Sequence, residues 1–421
     1  MDEPHSTAPV TLRRDCCIAG GGPAGMMLGF LLARAGVDVV VLEKHADFLR
    51  DFRGDTIHPS TLEVMHELGI LEELLERPHQ EVRELHGVID GTEVTIADFS
   101  HLPTRCRFIA LMPQWDFLDF IADHARRYPT FHLRMRAEVT DLLEEESRVV
   151  GVRVSTPEGP LEILAALTVG ADGRSSTVRA RAGLVVRDLG APMDVLWMRI
   201  SRRPTDPDQA LGYFDRGRIL VLIYRGEYWQ CGFVIPKGGH QAIRERGLDA
   251  FRQEITTIAP FLHDRIAELR DWDDIKLLTV AVDRLEQWHR RGLLCIGDAA
   301  HAMSPVGGVG INLAIQDAIA TANLLATSLR SGAVTSEDLQ RVQRRRQFPT
   351  RLTQGLQVFI QKRVISRVLS SQERLGLPWP VRLLRLFPFL RRIPARLVGV
   401  GIRPEHVRTP DVFSKWGTNA Q

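Results

Sequence analysis

The sequence predicts an α/β fold in which a Rossmann-like domain carries an inserted antiparallel sheet and is followed by a helical C-terminal segment. Three observations predict this fold. A strand, a helix and a second strand are indicated at residues 16–42, short strand-like runs lie between residues 193 and 236, and helical apolar spacing returns after residue 312. Buried strands that alternate with helices are typical of parallel sheets, and short strands separated by turns are typical of antiparallel ones.

The first of these patterns is a βαβ unit. An apolar run at residues 16–19 predicts a buried strand, and residues 20–25 form a glycine-rich turn. Residues 26–35 repeat apolar side chains at helical spacing, and Gly36 ends that helix. The β-branched run VDVVVL at residues 37–42 predicts a parallel strand that is buried on both faces.

The middle and the last third of the chain differ from this pattern. The runs LWMRI, LGYF, RILVLIY and YWQCGFVI predict an antiparallel sheet, and Arg225 and Gly226 predict a hairpin turn between the last two. An apolar stripe then predicts a long helix, with the members Ile311, Ile315, Ala318, Ile319, Ala322 and Leu325.

Composition and charge exclude several protein classes. With 421 residues, 44% of them apolar and 25% charged, the chain can bury a large core, so disorder and a small disulfide scaffold are excluded. The net charge of +2 argues against a nucleic-acid partner. That total hides a basic C-terminal tail, because residues 341–421 hold 17 basic residues against Glu373, Glu405 and Asp411.

The cysteines and the apolar runs bear on location. Five cysteines lie in apolar segments without the spacing of a metal site, which predicts small core residues in a reducing compartment. The apolar stretch after Arg13 and Arg14 is broken by glycines and Pro23, and no uninterrupted run of about 20 apolar residues follows. We therefore expect a cytoplasmic protein that does not span a membrane.

The glycine turn carries the first motif. Gly20, Gly22 and Gly25 form a GxGxxG pattern between the strand and the helix, and Glu43 ends the second strand. In this context the glycines let the backbone approach a pyrophosphate at a helix N-terminus, and the acidic residue accepts hydrogen bonds from ribose hydroxyls. The alternative is a coincidental glycine turn. The motif indicates an adenine dinucleotide without distinguishing NAD from FAD.

Two later segments are similar to motifs of one family. Residues 169–179 (VGADGRSSTVR) resemble its ADGxxSxVR signature, and residues 295–301 (CIGDAAH) resemble its GDAAH motif, which runs on into residues 304–312 (SPVGGVGIN). Together with the glycine motif, these segments resemble the group A flavoprotein monooxygenases of the p-hydroxybenzoate hydroxylase type. The resemblance covers about residues 15–330.

The resemblance assigns residues around the flavin of FAD. It places Asp298 at the ribityl chain, with a simple strand-end cap as the alternative. It places Gly310, Ile311 and Asn312 at the pyrimidine ring, where a helix N-terminus would stabilise negative charge. It places Pro305 between flavin and substrate, with an ordinary turn residue as the alternative.

Further residues are assigned to the rest of the cofactor. The resemblance places Asp172 and Arg53 near the pyrophosphate, Gln114 at the start of a cofactor-contacting helix, and Val139 at the adenine. Asp172 is also suited to capping the short helix that follows Gly173, and both roles can hold.

The implied activity is that of a single-component monooxygenase. NADPH or NADH would reduce FAD, O₂ would add to give a C4a-hydroperoxyflavin, and an electron-rich aromatic substrate, such as a phenol, a quinol or a polyketide, would be hydroxylated. Tyr213 and Tyr224 in the antiparallel sheet are weak candidates for the substrate pocket, with ordinary sheet aromatics as the alternative.

Three other functions stay open. A flavin-dependent reductase or dehydrogenase would add hydrogen instead of oxygen. A flavin-dependent halogenase is disfavoured because residues 231–236 (CGFVIP) lack the tryptophans of the halogenase WxWxIP signature. The third is a flavin-binding module without enzymatic activity.

The domain organisation follows from these assignments. Residues 1–14 are expected to be flexible. The FAD-binding domain is predicted from three segments: 15–80, 100–185 and 280–335. The substrate domain is predicted from residues 81–99 and 186–279, and a basic helical region from residues 336–421. That region mixes arginines with apolar residues, which suggests either a helical cap or peripheral contact with an anionic membrane.

The substrate, the site of hydroxylation and the oligomeric state are not readable from any motif.

Overall fold

The computed structural model describes residues 10–49, 56–207, 211–371, 373 and 376–414. From Val10 to Asp188 the strands and helices are β1 (Val10–Ala19), α1 (Pro23–Arg34), β2 (Val39–Leu42), β3 (Thr56–Ile57), α2 (Pro59–Glu67), α3 (Leu71–Leu75), β4 (Gln80–Val82), β5 (Glu84–Ile89), β6 (Thr92–Asp98), β7 (Ile109–Leu111), α4 (Gln114–Ala125), β8 (Phe131–Arg134), β9 (Glu138–Glu145), β10 (Arg148–Thr156), β11 (Gly159–Gly170), α5 (Thr177–Arg181) and β12 (Val186–Asp188).

From Met193 to Gly399 the elements are β13 (Met193–Ser201), β14 (Leu211–Asp215), β15 (Arg218–Tyr224), β16 (Tyr228–Pro236), α6 (His240–Arg246), α7 (Leu248–Ile258), β17 (Lys276–Leu278), β18 (Asp283–Leu285), β19 (His289–Arg290), β20 (Leu293–Cys295), α8 (Gly310–Arg330), α9 (Ser336–Ile360), α10 (Ser366–Ser370), α11 (Trp379–Leu386) and α12 (Arg392–Gly399). A π-helical turn joins α9 to α10, and a 3-10 helix, Pro388–Arg391, joins α11 to α12.

The first large sheet has eight strands, and its central part is parallel in the order β20, β11, β1, β2, β8. Its register aligns the carboxyl ends of four strands: Ala19 pairs with Leu42 on one side and with Gly170 on the other, and Gly170 pairs with Cys295. The residues that follow these strands therefore emerge at one edge of the sheet, where ligands of open α/β sheets bind.

The second large sheet has seven strands in the order β17, β13, β16, β15, β14, β5, β6. Only the pairing of β14 with β5 is parallel; the others are antiparallel. One face buries Leu220, Leu222 and Trp229 against α6 and α7, which contribute Ile243 and Phe251. Part of the opposite face packs against Ile365 and Val368 at and before α10, and another part lines the space beside the parallel sheet. The predicted α/β fold class with an antiparallel insertion is confirmed.

The first strand is longer than expected. Residues 10–14, which were expected to be flexible, belong to β1, because Val10 to Arg14 pair in parallel with Leu161 to Ala165 of β11. Their polar composition reflects partial exposure at this end of the strand, where the burial pattern alternates.

Helices α1 and α8 form much of the core beside the parallel sheet. All residues of α1 from Ala24 to Ala33 are buried, and α8 buries fifteen of its 21 residues. By length and composition, the segment Val306–Arg330 is the one described helix that could cross a membrane, but 83% of its most apolar window is buried inside the protein. It is the core helix that the apolar stripe predicts.

Candidate functional site

A cavity of about 620 Å³ lies where the carboxyl edge of the parallel sheet faces the second sheet. Ten of the residues singled out from the sequence line it: Gly20, Gly22, Glu43, Gln114, Val139, Asp172, Asp298, Pro305, Gly310 and Ile311. The sheet register explains this convergence, since three of the loops involved follow β1, β11 and β20, and Glu43 follows β2.

The glycines of the turn let other backbone segments, and a ligand, come close to its main chain. Gly20 has a φ of +106°, and a Cβ there would lie 2.3 Å from the Ala171 carbonyl oxygen. A Cβ on Gly25 would lie 1.9 Å from the Gly20 carbonyl oxygen, so Gly25 lets α1 pack against the turn. A Cβ on Gly22 would meet no protein atom within 4 Å. Gly22 borders the cavity and precedes α1, so its lack of a side chain keeps the helix N-terminus open to a ligand.

Two carboxylates flank this turn. The Glu43 carboxylate accepts hydrogen bonds from the backbone N–H groups of Gly21 and His45, both at 3.0 Å, which fixes it at the cavity wall. Asp172 accepts from Ser176 Oγ at 2.5 Å and from the Val178 N–H at 3.1 Å, so it is tied to α5. Burial raises the pKa of Asp172, although these hydrogen bonds oppose the increase.

Asp298 follows β20 and borders the cavity. Arg174 of the second motif lies 3.8 Å from its carboxylate and donates to the Thr279 carbonyl oxygen at 3.3 Å. Arg179 donates to Arg174 O, to Asp283 at 3.4 Å and to Ala299 O at 3.5 Å, so it joins the second and third motifs. Arg174 itself lines the cavity and is a cationic group that the sequence analysis did not single out.

The loop from Pro305 to Gly310 runs along the cavity into α8. Gly307 and Gly308 have positive φ angles of +79° and +62°. A Cβ on Gly308 would lie 2.5 Å from Thr56 Oγ1, which donates to the Gly308 carbonyl oxygen at 2.9 Å. The glycines therefore hold the loop in a path that a larger residue would not follow.

The Asn312 side chain is bonded within the protein. Its Oδ1 accepts from the His58 N–H at 3.0 Å and from Thr61 Oγ1 at 2.7 Å, and its Nδ2 donates to Thr56 O at 3.3 Å. The side chain is 4% exposed and does not line the cavity. Asn312 therefore positions α8 against β3 and α2, because its polar atoms are already bonded within the protein.

Gln114 and Val139 border the cavity from other elements. Gln114 is the first residue of α4, and Val139 is the second residue of β9. Arg53, which the resemblance places at the pyrophosphate, lies outside the described residues.

The expected roles of Tyr213 and Tyr224 need correction. Both side chains pack against the cluster that α6 and α7 cover, and neither lines the cavity. Side chains alternate between the two faces of a strand, so Tyr224 shares the covered face with Leu220 and Leu222, whereas Ile223 faces the cavity.

The side chains that the second sheet presents to the cavity include Trp197, Ile223 and Gln230. The Trp197 ring lies across Gly232, where a Cβ would be 2.9 Å from Trp197 Cζ3. Gln230 is 5% exposed and its Oε1 accepts from Arg225 Nε at 3.2 Å, while its amide nitrogen has no hydrogen-bond partner in the described part of the chain. The sequence of β16 contains a pattern that indicates which face meets the cavity, because the small or polar Gln230 and Gly232 alternate with Trp229, Cys231 and Phe233.

The residues of the cavity fit FAD. The open space beside Gly22 and the N-terminus of α1 suit a pyrophosphate, the carboxylates of Glu43 and Asp298 suit hydroxyl groups, and the N-terminus of α8 suits an electron-rich ring. A sequence model described as an FAD-binding domain matches residues 13–355. The chain belongs to this FAD-binding family.

Relatives in this family include monooxygenases. The chain is 33% identical over 356 residues to the 6-methylpretetramide 4-monooxygenase of Streptomyces rimosus, which covers 84% of each chain. It is 29% identical over 339 residues to the dialkyldecalin synthase of Streptomyces rugosporus, but spans only 66% of that longer chain. Together with the motifs, the first relative identifies this flavoprotein as an FAD-dependent monooxygenase, with NAD(P)H and O₂ as co-substrates.

The fold is also seen in solved structures. The structure of Pseudomonas aeruginosa PqsL in complex with 2-aminobenzoylacetate superposes with a TM-score of 0.72 and 23% identity, covering 85% of this chain and 97% of that one. At this identity the likeness shows the shared fold.

Proposed function

We propose that this protein hydroxylates an electron-rich aromatic substrate, such as a phenol, a quinol or an aromatic polyketide, with FAD, NAD(P)H and O₂. The observation that carries the proposal is the shared cavity: the three motifs and part of the second sheet, on the face opposite α6 and α7, line the same space. When bound, FAD supplies the oxygen-activating redox chemistry. The chain has to hold the cofactor, orient the substrate and exclude water.

The start of α8 stabilises charge in this proposal. The first backbone N–H groups of a helix have no partner within the helix and carry a partial positive charge. Gly310 and Ile311 supply these groups at the cavity wall. They would therefore stabilise negative charge on the flavin ring.

The second sheet orients the substrate in this proposal. Trp197 and Ile223 offer apolar surface to an aromatic ring, and Gln230 offers a buried amide. Because Arg225 occupies the Gln230 oxygen, the amide nitrogen is the group available to donate to a phenolic or carbonyl oxygen of the substrate. The name of the relative at 33% identity supports a polyketide-like substrate.

One relative favours a second candidate function. Dialkyldecalin synthase is named for a synthase activity, so this cavity could serve a reaction that transfers no oxygen. A reductase, which adds hydrogen, is separated from both by the mass of the product.

The proposal is tested with the purified protein and a panel of phenols, quinols and aromatic polyketides. We expect a yellow protein that retains FAD, and NAD(P)H oxidation that one class of these compounds stimulates about tenfold or more. A protein that takes up no FAD would refute the proposal. So would a flavoprotein whose NAD(P)H oxidation no aromatic compound stimulates. A cytoplasmic location stays a prediction.

A further inference from the structure

The C-terminal segment that contains α11 and α12 exposes an unusual number of large apolar side chains. Eleven of the sixteen exposed large apolar side chains among the described residues lie between Phe348 and Leu397. We use the name C-terminal apolar surface for six of them: Trp379, Leu386, Phe387, Phe389, Ile393 and Leu397.

Helix α11 has no buried residue, although most of its residues are apolar. Trp379 and Leu386 are 72% and 70% exposed and lie seven residues apart, which is two helical turns, so they share one face. A monomeric protein rarely exposes a continuous apolar surface of this kind without a partner for it.

Helix α12 has two distinct faces. Ala395 and Gly399 are buried, and a Cβ on Gly399 would lie 2.8 Å from Leu102 Cδ1, so this face packs tightly on the body of the protein. Ile393 and Leu397, four residues apart, are 58% and 40% exposed on the other side. The outward side therefore exposes large apolar side chains, next to Arg392 and Arg396.

The charges within the segment that carries this surface all have one sign, and Asp98 of the neighbouring β6 lies near Arg392. Residues 376–404 contain six arginines and no acidic residue. Of these, Arg382, Arg385, Arg392 and Arg396 are exposed beside the apolar side chains. A second copy of the same surface would bring arginines against arginines. An anionic lipid surface complements both the apolar side chains and the arginines. Aromatic and apolar side chains enter the headgroup region, and arginines pair with lipid phosphates.

We infer that the C-terminal apolar surface docks this protein on an anionic lipid bilayer. The inference does not rest on the proposed hydroxylation, but it places the cavity close to the bilayer. Val398, on α12, accepts a hydrogen bond from His58 Nδ1 at 2.7 Å through its carbonyl oxygen. A Cβ on Gly307 would lie 3.9 Å from Val398 Cγ2. Helix α12 therefore carries part of the docking surface on its outward side and lies beside the cavity-bordering loop on its inward side. This arrangement gives a lipophilic substrate a short path from the bilayer to the cavity.

The test is co-sedimentation of the full-length, FAD-loaded protein with vesicles at about 0.1 M salt. We expect binding to phosphatidylcholine vesicles that contain about 30% phosphatidylglycerol, and weak binding to pure phosphatidylcholine. The double variant Trp379→Ser/Phe389→Ser should lower the bound-to-free ratio about tenfold. The variant Arg392→Gln/Arg396→Gln should lose binding to the anionic vesicles in particular.

The matched control is Val10→Ser/Val185→Ser, which removes two apolar side chains that are 64% and 62% exposed elsewhere. It should bind as the unmodified protein does. Circular dichroism and the thermal midpoint establish that each variant is folded. The inference would be overturned if the unmodified protein did not bind anionic vesicles, or if the Trp379→Ser/Phe389→Ser variant bound them as well as the unmodified protein does. A dimer in light scattering that these variants dissociate, without vesicle binding, would assign the surface to a second copy instead.

Discussion

At the scale of single residues, two glycines of one motif have different physical roles. A side chain on Gly22 would meet no protein atom, whereas a side chain on Gly25 would collide with the Gly20 carbonyl oxygen. We predict that Gly22→Val keeps the fold of the FAD-free protein but weakens FAD binding about tenfold or more. Gly25→Val should destabilise the fold itself by several kcal/mol, about 3 or more. Fluorescence titration measures FAD binding and urea unfolding measures stability, so the two effects can be separated. Similar unfolding midpoints for the two variants would contradict the different roles of Gly22 and Gly25.

Gln230 offers a test of the substrate side. Gln230→Met keeps the volume of the side chain and removes its amide, so KM for a phenolic substrate should rise about tenfold while NAD(P)H oxidation without substrate is unchanged. Tyr224→Phe is the matched control, since Tyr224 lies on the covered face of the same sheet. Equal KM values for Gln230→Met and the unmodified protein would remove Gln230 from the substrate site.

His58 predicts a pH dependence of stability. Burial lowers its pKa from 6.5 to about 4. Between these two values the unfolded chain binds a proton that the folded chain does not, so the free energy of unfolding falls as the pH decreases from 6.5 to 4. The contribution of this group reaches about 3 kcal/mol at the acidic end. Urea unfolding over this pH range should show that the free energy of unfolding decreases less steeply for His58→Asn than for the unmodified protein. The same pH dependence in both proteins would contradict the lowered pKa of His58.

At the scale of elements, a buried ionic network joins the third motif to the C-terminal helices. Asp317 of α8 lies 2.5 Å from His301 Nε2 and 2.9 Å from Arg346 Nε of α9, and it accepts from the Gly297 N–H at 3.1 Å. Arg346 in turn lies 3.4 Å from Glu405. Burial opposes ionisation of Asp317, but His301 and Arg346 hold its pKa below the ordinary value.

Breaking this network should be costly. Asp317→Asn removes the nearer of the two carboxylates that pair with the buried Arg346 and loosens the turn at Gly297. We therefore predict a loss of about 3–5 kcal/mol in the free energy of unfolding. The control is Arg341→Ala, which removes an exposed ion pair with Asp338 at 3.4 Å and should cost less than about 1 kcal/mol. Thermal or urea unfolding of both variants checks this, and similar losses would contradict it.

The elements also show what could be predicted from the sequence. The βαβ unit, the hairpin at Arg225 and Gly226, and the long helix after residue 310 follow from local periodicity, and the structure contains all three. Residues 10–14 could not be assigned to a strand, because their partner in β11 is distant in sequence. The two tyrosines were misplaced because which face of a strand meets a cavity depends on what covers the other face, here α6 and α7.

At the scale of the whole molecule, the site is a consequence of sheet register. Three motifs that are separated by more than a hundred residues each meet because Ala19, Gly170 and Cys295 are aligned across neighbouring parallel strands. The motifs and the family resemblance singled out ten of the residues that line the cavity. They could not predict Trp197, Ile223 and Gln230, since these positions carry no motif and reach the cavity only through the packing of the second sheet.

We propose above all that the shared cavity binds FAD and that the chain transfers one oxygen atom from O₂ to an aromatic substrate. The most direct measurement is the mass of the product formed from NAD(P)H and isotopically labelled dioxygen, with the compound that stimulates NAD(P)H oxidation most. We predict a product that contains one labelled oxygen atom. A product of unchanged mass, a product that has gained only hydrogen, or one whose added oxygen comes from water would contradict the claim.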